Sequence, residues 1–187
     1  FSFSLDEPLD MRYAASDQIA AAQVLNEYTK EELYTIFKNF GEEKFSREIA
    51  ESIVQYREHN PIDKTGELVE IILQVYREKL NSTKEVPWIG GIHPATQVFQ
   101  ALRMEVNHEL ENLKSALPQA IEILASGGRL AVITFHSLED RIVKQYFKTI
   151  EHRQINLVNK KPIIASATEL EKNPRARSAK LRVVEKI

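Results

Sequence analysis

The chain has 187 residues and no cysteine, with 43% hydrophobic and 28% charged side chains and a formal charge of −2. That is enough chain to bury a real core, with room for one domain and a small second module, and the missing cysteine excludes disulfides, thiolate zinc sites and cysteine nucleophiles. No apolar run approaches a bilayer-spanning length, no secretory leader is expected, and the near-balanced charge excludes a chain that is polybasic throughout.

Phe1-Ser-Phe-Ser-Leu5 reads like mid-protein sequence, so the chain is expected to be part of a longer one. Residues 1–13 contain proline and show no helical period. From Ala14 to about Leu80 the pattern is helical. Ile19, Leu25 and Tyr28 fit one helix face. Thr29 with Glu32 has the form of a capping box, in which a hydroxyl and a carboxylate satisfy each other's free backbone N–H groups. Leu33, Ile36, Phe37 and Phe40 follow as an apolar stripe, and Gly41 is the expected C-terminal cap. Phe45, Ile49, Ile53 and Tyr56 mark the next helix, stopped by Asn60-Pro61. Thr65 is expected to cap a further helix carrying Leu68, Ile71, Ile72 and Val75. With no strand pattern in between, this stretch reads as a compact helical module.

Lys84 to Pro94 reads as a loop, with Pro87, Gly90, Gly91 and Pro94. A long helix is predicted from Phe99 through Leu102, Val106 and Leu113, continuing to Ala125 with Pro118 at a first-turn position or a kink. Gly127-Gly128 ends it. Leu130 to Phe135 is almost continuously apolar, the form of a strand buried on both faces of a parallel sheet. Ser137 is expected to cap a helix holding Ile142, Val143, Tyr146 and Phe147. Ile155–Val158 and Leu181–Val184 read as further strands. Helix, buried strand, helix and strand together make an α/β fold.

Charge is uneven along this order. Residues 160–187 hold eight Lys/Arg and three Glu, net +5, so the preceding residues carry −7. A basic tail after a sheet region suits phosphate contact; the plain alternative is a solvated surface.

Three constellations could carry chemistry. The first is Thr134-Phe-His-Ser-Leu-Glu-Asp-Arg141, placed where the apolar strand ends and a helix begins. Ligands of open α/β sheets bind outside the carboxyl ends of strands, and a helix N-terminus attracts anions. His136 and Ser137 are the candidates there; the plain alternative is that Ser137 merely caps, with Asp140 closing a box. No Gly-x-Ser-x-Gly elbow supports a serine hydrolase. The second is Asn173-Pro-Arg-Ala-Arg-Ser-Ala-Lys180, whose Arg175 and Arg177 suit phosphate oxygens. The third is His93-Pro-Ala-Thr96 leading into Gln100, Arg103 and Asn107, a polar stripe that ordinarily is the wet side of a helix. His93 and His136 have no carboxylates at metal-ligand spacing, so no metal is expected. There is no phosphate-binding glycine loop.

Taken in order, Phe1-Ser-Phe, Pro8-Leu-Asp-Met-Arg12, Gly41-Glu-Glu-Lys-Phe45, His93-Pro-Ala-Thr96, Phe99-Gln-Ala-Leu-Arg103, Val106-Asn107 with Glu109-Leu110, Gly127-Gly-Arg-Leu130, Phe135-His-Ser-Leu-Glu-Asp-Arg141 and Asn173-Pro-Arg-Ala-Arg-Ser-Ala179 resemble the RsmH (MraW) family of bacterial 16S ribosomal RNA cytosine-N4 methyltransferases. The resemblance covers nearly the whole chain, and its last two strings are highly specific. It implies the later half of a Rossmann-like, S-adenosylmethionine-dependent core (residues 1–13 and 93–187) with an inserted helical substrate-recognition domain (residues 14–92). It implies a cytoplasmic enzyme whose partner is 16S RNA in the small ribosomal subunit, with no membrane. The insertion is acidic: residues 14–90 carry nine Lys/Arg and fourteen Asp/Glu, net −5, so any RNA contact there is a local patch. The family's glycine-rich loop and ribose-binding acid precede Phe1-Ser-Phe, so no donor-binding residue is expected in this chain. Gln97-Val98 departs from the Arg-Thr common in the family.

Methylation at N4 needs no covalent intermediate, in keeping with the absence of cysteine: the exocyclic amine attacks the donor methyl directly, and the protein orients the amine and accepts a proton late. On this resemblance His136, Ser137, Asp10 and Asn107 orient the target cytidine, and Arg103, Arg141, Asn173, Arg175 and Arg177 hold phosphates or neighbouring acids. Two other classes stay open: a non-catalytic RNA- or protein-binding piece without a donor site, and a methyltransferase of the same build acting on DNA or a small molecule. A sheet without its first strands would expose an apolar edge that favours self-association as a homodimer.

Overall fold

A computed structural model describes residues 5–14, 19–81 and 93–187. The Phe1-Ser-Phe string, the start of the first expected helix and the expected loop as far as residue 92 lie outside the described residues. The chain forms two compact units, residues 1–109 and residues 110–187.

The first unit is helical, as the periodicity predicts: α1 (Ala21–Glu27), α2 (Lys30–Asn39), α3 (Ser46–Arg57), α4 (Thr65–Lys79) and α5 (Thr96–Val106). Their apolar stripes meet in one core that includes Leu25, Leu33, Phe37, Ile53, Ile72 and Leu102. The Thr29 box forms as expected, with Thr29 Oγ1 accepting from Glu32 N–H and Glu32 Oε2 accepting from Thr29 N–H at 2.7 Å. α5 packs on α1 and α2, so residues 96–106 share a compact unit with the helical module.

Two local expectations are corrected here. Thr65 is the first residue of α4 and not its cap. The free N–H groups of Asp63 and Lys64 are taken instead by the Glu67 carboxylate, each at 2.9 Å. That leaves the Thr65 hydroxyl to tie down the N-terminal stretch, donating to Leu5 C=O and accepting from Glu7 N–H. Gly41 does not supply a left-handed cap; that conformation falls on Glu42, at φ 50°. Glycine is required at 41 because α2 ends against α5: a Cβ there would lie 2.7 Å from both Phe37 C=O and Gln97 C=O. Both neighbours are backbone and cannot swing aside. Gly41→Ala is therefore expected to cost about 2 kcal/mol, in the range of core overpacking, read as a lower denaturant midpoint at unchanged slope.

The long helix expected from Phe99 to Ala125 breaks. α5 ends on Asn107, and His108 takes a left-handed φ of 48° before α6 (Glu109–Ile123) begins. Pro118 thus lies inside α6 and not in its first turn. The rest of the second unit is β1 (Arg129–Thr134), α7 (Ser137–Ile150), β2 (Ile155–Leu157), β3 (Ile163–Ile164), α8 (Ala167–Lys172), a 3₁₀ turn (Pro174–Ser178) and β4 (Lys180–Lys186). β4 is central: β1 pairs along one edge of it, β2 and β3 along the other.

Every pairing among these described strands is antiparallel, and β1 has a described partner on one edge only. Its two faces differ in burial. Leu130 and Val132 pack on the core of Leu117, Ile121, Val143, Phe147, Ile155 and Val184, whereas Ile133 on the other face is 58% exposed. The apolar run is a one-sided strand with apolar residues on both faces. The class is α/β, a helical unit followed by a mixed helix and sheet unit. Lys186 fastens the end of β4 to α6 by donating from Nζ to the carbonyls of Glu122 and Leu124 at 2.9 and 2.7 Å, satisfying the acceptors that a helix C-terminus leaves free. No helix among the described residues is long and apolar enough to cross a membrane.

Candidate functional site

The expected site residues fall into two groups, one in each unit. In the first unit Asn107 is buried and fully engaged. Its Nδ2 donates to the carbonyls of Met11 and Arg103, both at 2.8 Å, and its Oδ1 accepts from Tyr13 N–H at 2.8 Å. Asn107 therefore closes α5 and pins residues 11–13, where Met11 holds a left-handed φ of 62°. Arg103 grips Glu109 with both arms of its fork, at 2.7 and 3.0 Å, and Tyr13 Oη donates to the same carboxylate. Asp10 receives Arg12 in the same two-armed way, at 2.6 and 2.9 Å, and the guanidinium holds its carboxyl below the usual range. Asn107 and Arg103 are thus not the wet side of a helix, because the residues after Leu9 lie over them.

In the second unit the turn after β1 carries His136, Ser137 and Arg141. The cap of α7 is His136, not Ser137: its Nδ1 accepts from Glu139 N–H at 3.3 Å. The box closes with Glu139 and not Asp140, because three residues on from His136 is Glu139, whose Oε2 accepts from Phe135 and His136 N–H. Its Oε1 lies 3.4 Å from His136 Nε2. Ser137 and Arg141 are exposed on the first turn of α7.

Freed from capping, Asp140 is buried against β4. It receives Arg182 Nε and Nη2 at 2.7 and 3.1 Å, with Lys180 Nζ at 3.6 Å. Sequence reasoning missed this clamp; its signal was two cations two apart on one strand, hence on one face, and a carboxylate in a helix first turn. Hydrogen bonding from Arg182 holds the Asp140 carboxyl below its usual range against the opposing effect of burial. A depressed carboxyl pKa stabilises the fold above the unfolded-state value of about 3.9 and loses that contribution as pH falls through the lower folded value. Stability measured from pH 6 downward should therefore drop below about pH 4, and the drop should shrink in an Asp140→Asn variant.

Asn173 ends α8, its N–H donating to Glu169 C=O at 2.7 Å, and starts the 3₁₀ turn. Within that turn Ala176 is buried and anchors the backbone, while Arg175 and Arg177 are exposed and form no ion pair with another described residue. The turn leads straight into Lys180, whose β1 partner is Thr134, two residues before His136. The two most specific sequence strings thus run into the same end of the β1–β4 ladder, with the Asp140–Arg182 clamp beneath. That end offers an imidazole, a hydroxyl and several arginines, a set suited to a polar ring and its flanking phosphates.

Comparison with known proteins adds the remaining finding. The chain matches the model of the MraW methylase family over residues 1–187. It is 47% identical over 188 residues to a "Ribosomal RNA small subunit methyltransferase H" of Persephonella marina, covering all of this chain and 62% of that protein. Proteins of the same name from Clostridium botulinum and Ruminiclostridium cellulolyticum are 47% and 42% identical, each covered over 63% of its length. The chain spans somewhat under two thirds of the length of these relatives.

Proposed function

Since the chain belongs to the MraW methylase family, we propose that it forms the substrate-holding part of an S-adenosylmethionine-dependent enzyme that methylates N4 of a cytidine in small-subunit (16S) ribosomal RNA. The observation that carries this reading is that the chain leaves β1 into the His136 turn and enters β4 from the Arg175–Arg177 turn at one end of their ladder, through the Thr134–Lys180 pair. Under it, residues 93–187 with 1–13 belong to a Rossmann-like core and residues 14–92 to an inserted helical domain.

The chemistry asks these residues to orient an amine and to hold the strand that carries it. His136 is fixed by its own cap hydrogen bond, so its imidazole keeps one orientation, and exposed Ser137 beside it offers a hydroxyl. Arg141, Arg175 and Arg177, with Asn173, take backbone phosphates. In the first unit Asn107 and Arg103 act by shaping residues 10–13, which leaves Asp10, capped by Arg12, as that segment's polar group. The donor is a different matter. A nucleotide-like donor sits on a glycine loop that follows a strand, but the described glycine pair, Gly127 and Gly128, precedes β1, and a Cβ at Gly127 would meet nothing within 4 Å. The described residues do not fit the donor.

The test is methylation by the full-length protein. Small-subunit particles, naked 16S RNA and DNA are offered with labelled donor, and the product is digested to nucleosides. N4-methylcytidine from the ribosomal RNA is the expected result. Label in DNA alone would favour the DNA enzyme, and binding without label would favour the non-catalytic alternative.

A further inference from the structure

A cavity of about 250 Å³ lies in the second unit, between the later half of α7 and the β2–β4 strands. Three lysines stand around it, Lys144 and Lys148 from α7 and Lys160 from the loop after β2. All three are exposed, and none of their side chains makes an ion pair or hydrogen bond with another described residue. Arg182 also lines it, but its charge is met by Asp140. The one acid in the wall is Glu151, close to His152. Lys144 and Lys148 are four apart on one helix face, an arrangement that repels, and Lys160 adds to it. An acidic chain that gathers three unpaired ammonium groups around one hollow has a place for an anion.

The hollow is built. Asn159 fixes the loop that carries Lys160: its Nδ2 donates to the carbonyls of Lys161 and Leu181 and its Oδ1 accepts from Val183 N–H at 2.7 Å. The floor is apolar, made of Phe147, Leu157 and Val183. Ammonium groups around an apolar floor fit a phosphate with its attached sugar and base; a free carboxylate would leave the floor unused.

We propose that this cavity holds a backbone phosphate and its adjoining nucleoside from the RNA substrate, as a second contact apart from the His136 end. Lys144 and Lys148 lie about 10 and 16 Å along α7 from its first residue at 1.5 Å per residue, so the two contacts grip different nucleotides. The proposal rests on the RNA reading above.

The test uses the full-length protein and the triple variant Lys144→Gln, Lys148→Gln, Lys160→Gln, which removes the charges but keeps flexible polar side chains at these exposed positions and should melt at the wild-type temperature. Binding to a short single-stranded oligoribonucleotide and to 16S RNA is measured across a salt series. The expected result is roughly tenfold weaker binding near physiological salt, with the log–log salt slope shallower by about 1, because one phosphate contact contributes close to one unit. kcat at saturating RNA should stay unchanged while KM rises. Wild-type affinity and slope in the variant would overturn the proposal, as would weaker binding at an unchanged slope. Displacement of the oligoribonucleotide by micromolar cytidine monophosphate from the wild-type protein but not from the triple variant would reassign the cavity to a free nucleotide and likewise overturn it. If the wild-type protein failed to methylate ribosomal RNA while the variant still lost oligoribonucleotide binding, the methylation reading would fall and the cavity's role would stand.

Discussion

Replacing Asp140 by Ala should lower the unfolding free energy of the second unit by about 3 kcal/mol, the cost of leaving buried charge without its partner. Arg182 is 8% exposed and gives both arms of its guanidinium to this one carboxylate. Its backbone sits in the central strand opposite Val132, so it cannot turn out to solvent without loosening the sheet. The paired change Asp140→Leu with Arg182→Met tests the cause. It removes both charges, and a buried pair exchanged for apolar side chains of similar volume is often neutral or stabilising. Denaturant unfolding of the single and double variants decides: a single-variant loss below about 1 kcal/mol would mean that water reaches Arg182 and the clamp contributes little.

His136 offers the larger functional effect, and its position as a cap requires a control. Under the proposed function, His136→Ala should reduce methylation of ribosomal RNA by the full-length protein about 100-fold, the scale of a lost proton-handling group. It should also cost about 1 kcal/mol of helix stability, since the acceptor for Glu139 N–H disappears. His136→Asn restores a good capping acceptor but not an imidazole. The expected outcome is recovered stability with activity still low. Recovered activity in the Asn variant would show that the ring only holds the turn. Arg177→Ala, which removes an exposed charge and no described contact, should instead raise KM for RNA several-fold and leave stability unchanged.

Much of this was legible because the signals were local. The Thr29–Glu32 box, the stripes of α2 to α4 and the strands near Ile155 and Leu181 each follow from a few neighbouring residues. The failures share a cause, a partner distant in sequence. Gly41 was read from its helix end, but its constraint is Gln97. Asn107 stood in a polar stripe that is ordinarily the wet side of a helix, but residues 11–13 cover it. Asp140 was given to a cap, but Arg182 claims it. The antiparallel pairing of β1 with β4 was not legible because period alone cannot name a strand's neighbour. The most specific site strings were visible as motifs; their convergence was not, because only the Thr134–Lys180 pairing joins them.

The place of β4 in the chain has a consequence for synthesis. Every other described strand hydrogen-bonds to it, yet it is translated after all of them. Until residues 180–186 have been made, β1 to β3 exist without their ladder partner, and β1 carries Ile133 and its neighbours unpaired. Sheet formation then waits on pairings such as Arg129 with Glu185, a loop closure across most of the unit. Such long-range pairing is slow and leaves sticky edges exposed meanwhile. The helical unit has finished its local contacts by then, so nascent chains should acquire protease resistance in two separate steps, the second only once residues up to Lys186 have emerged.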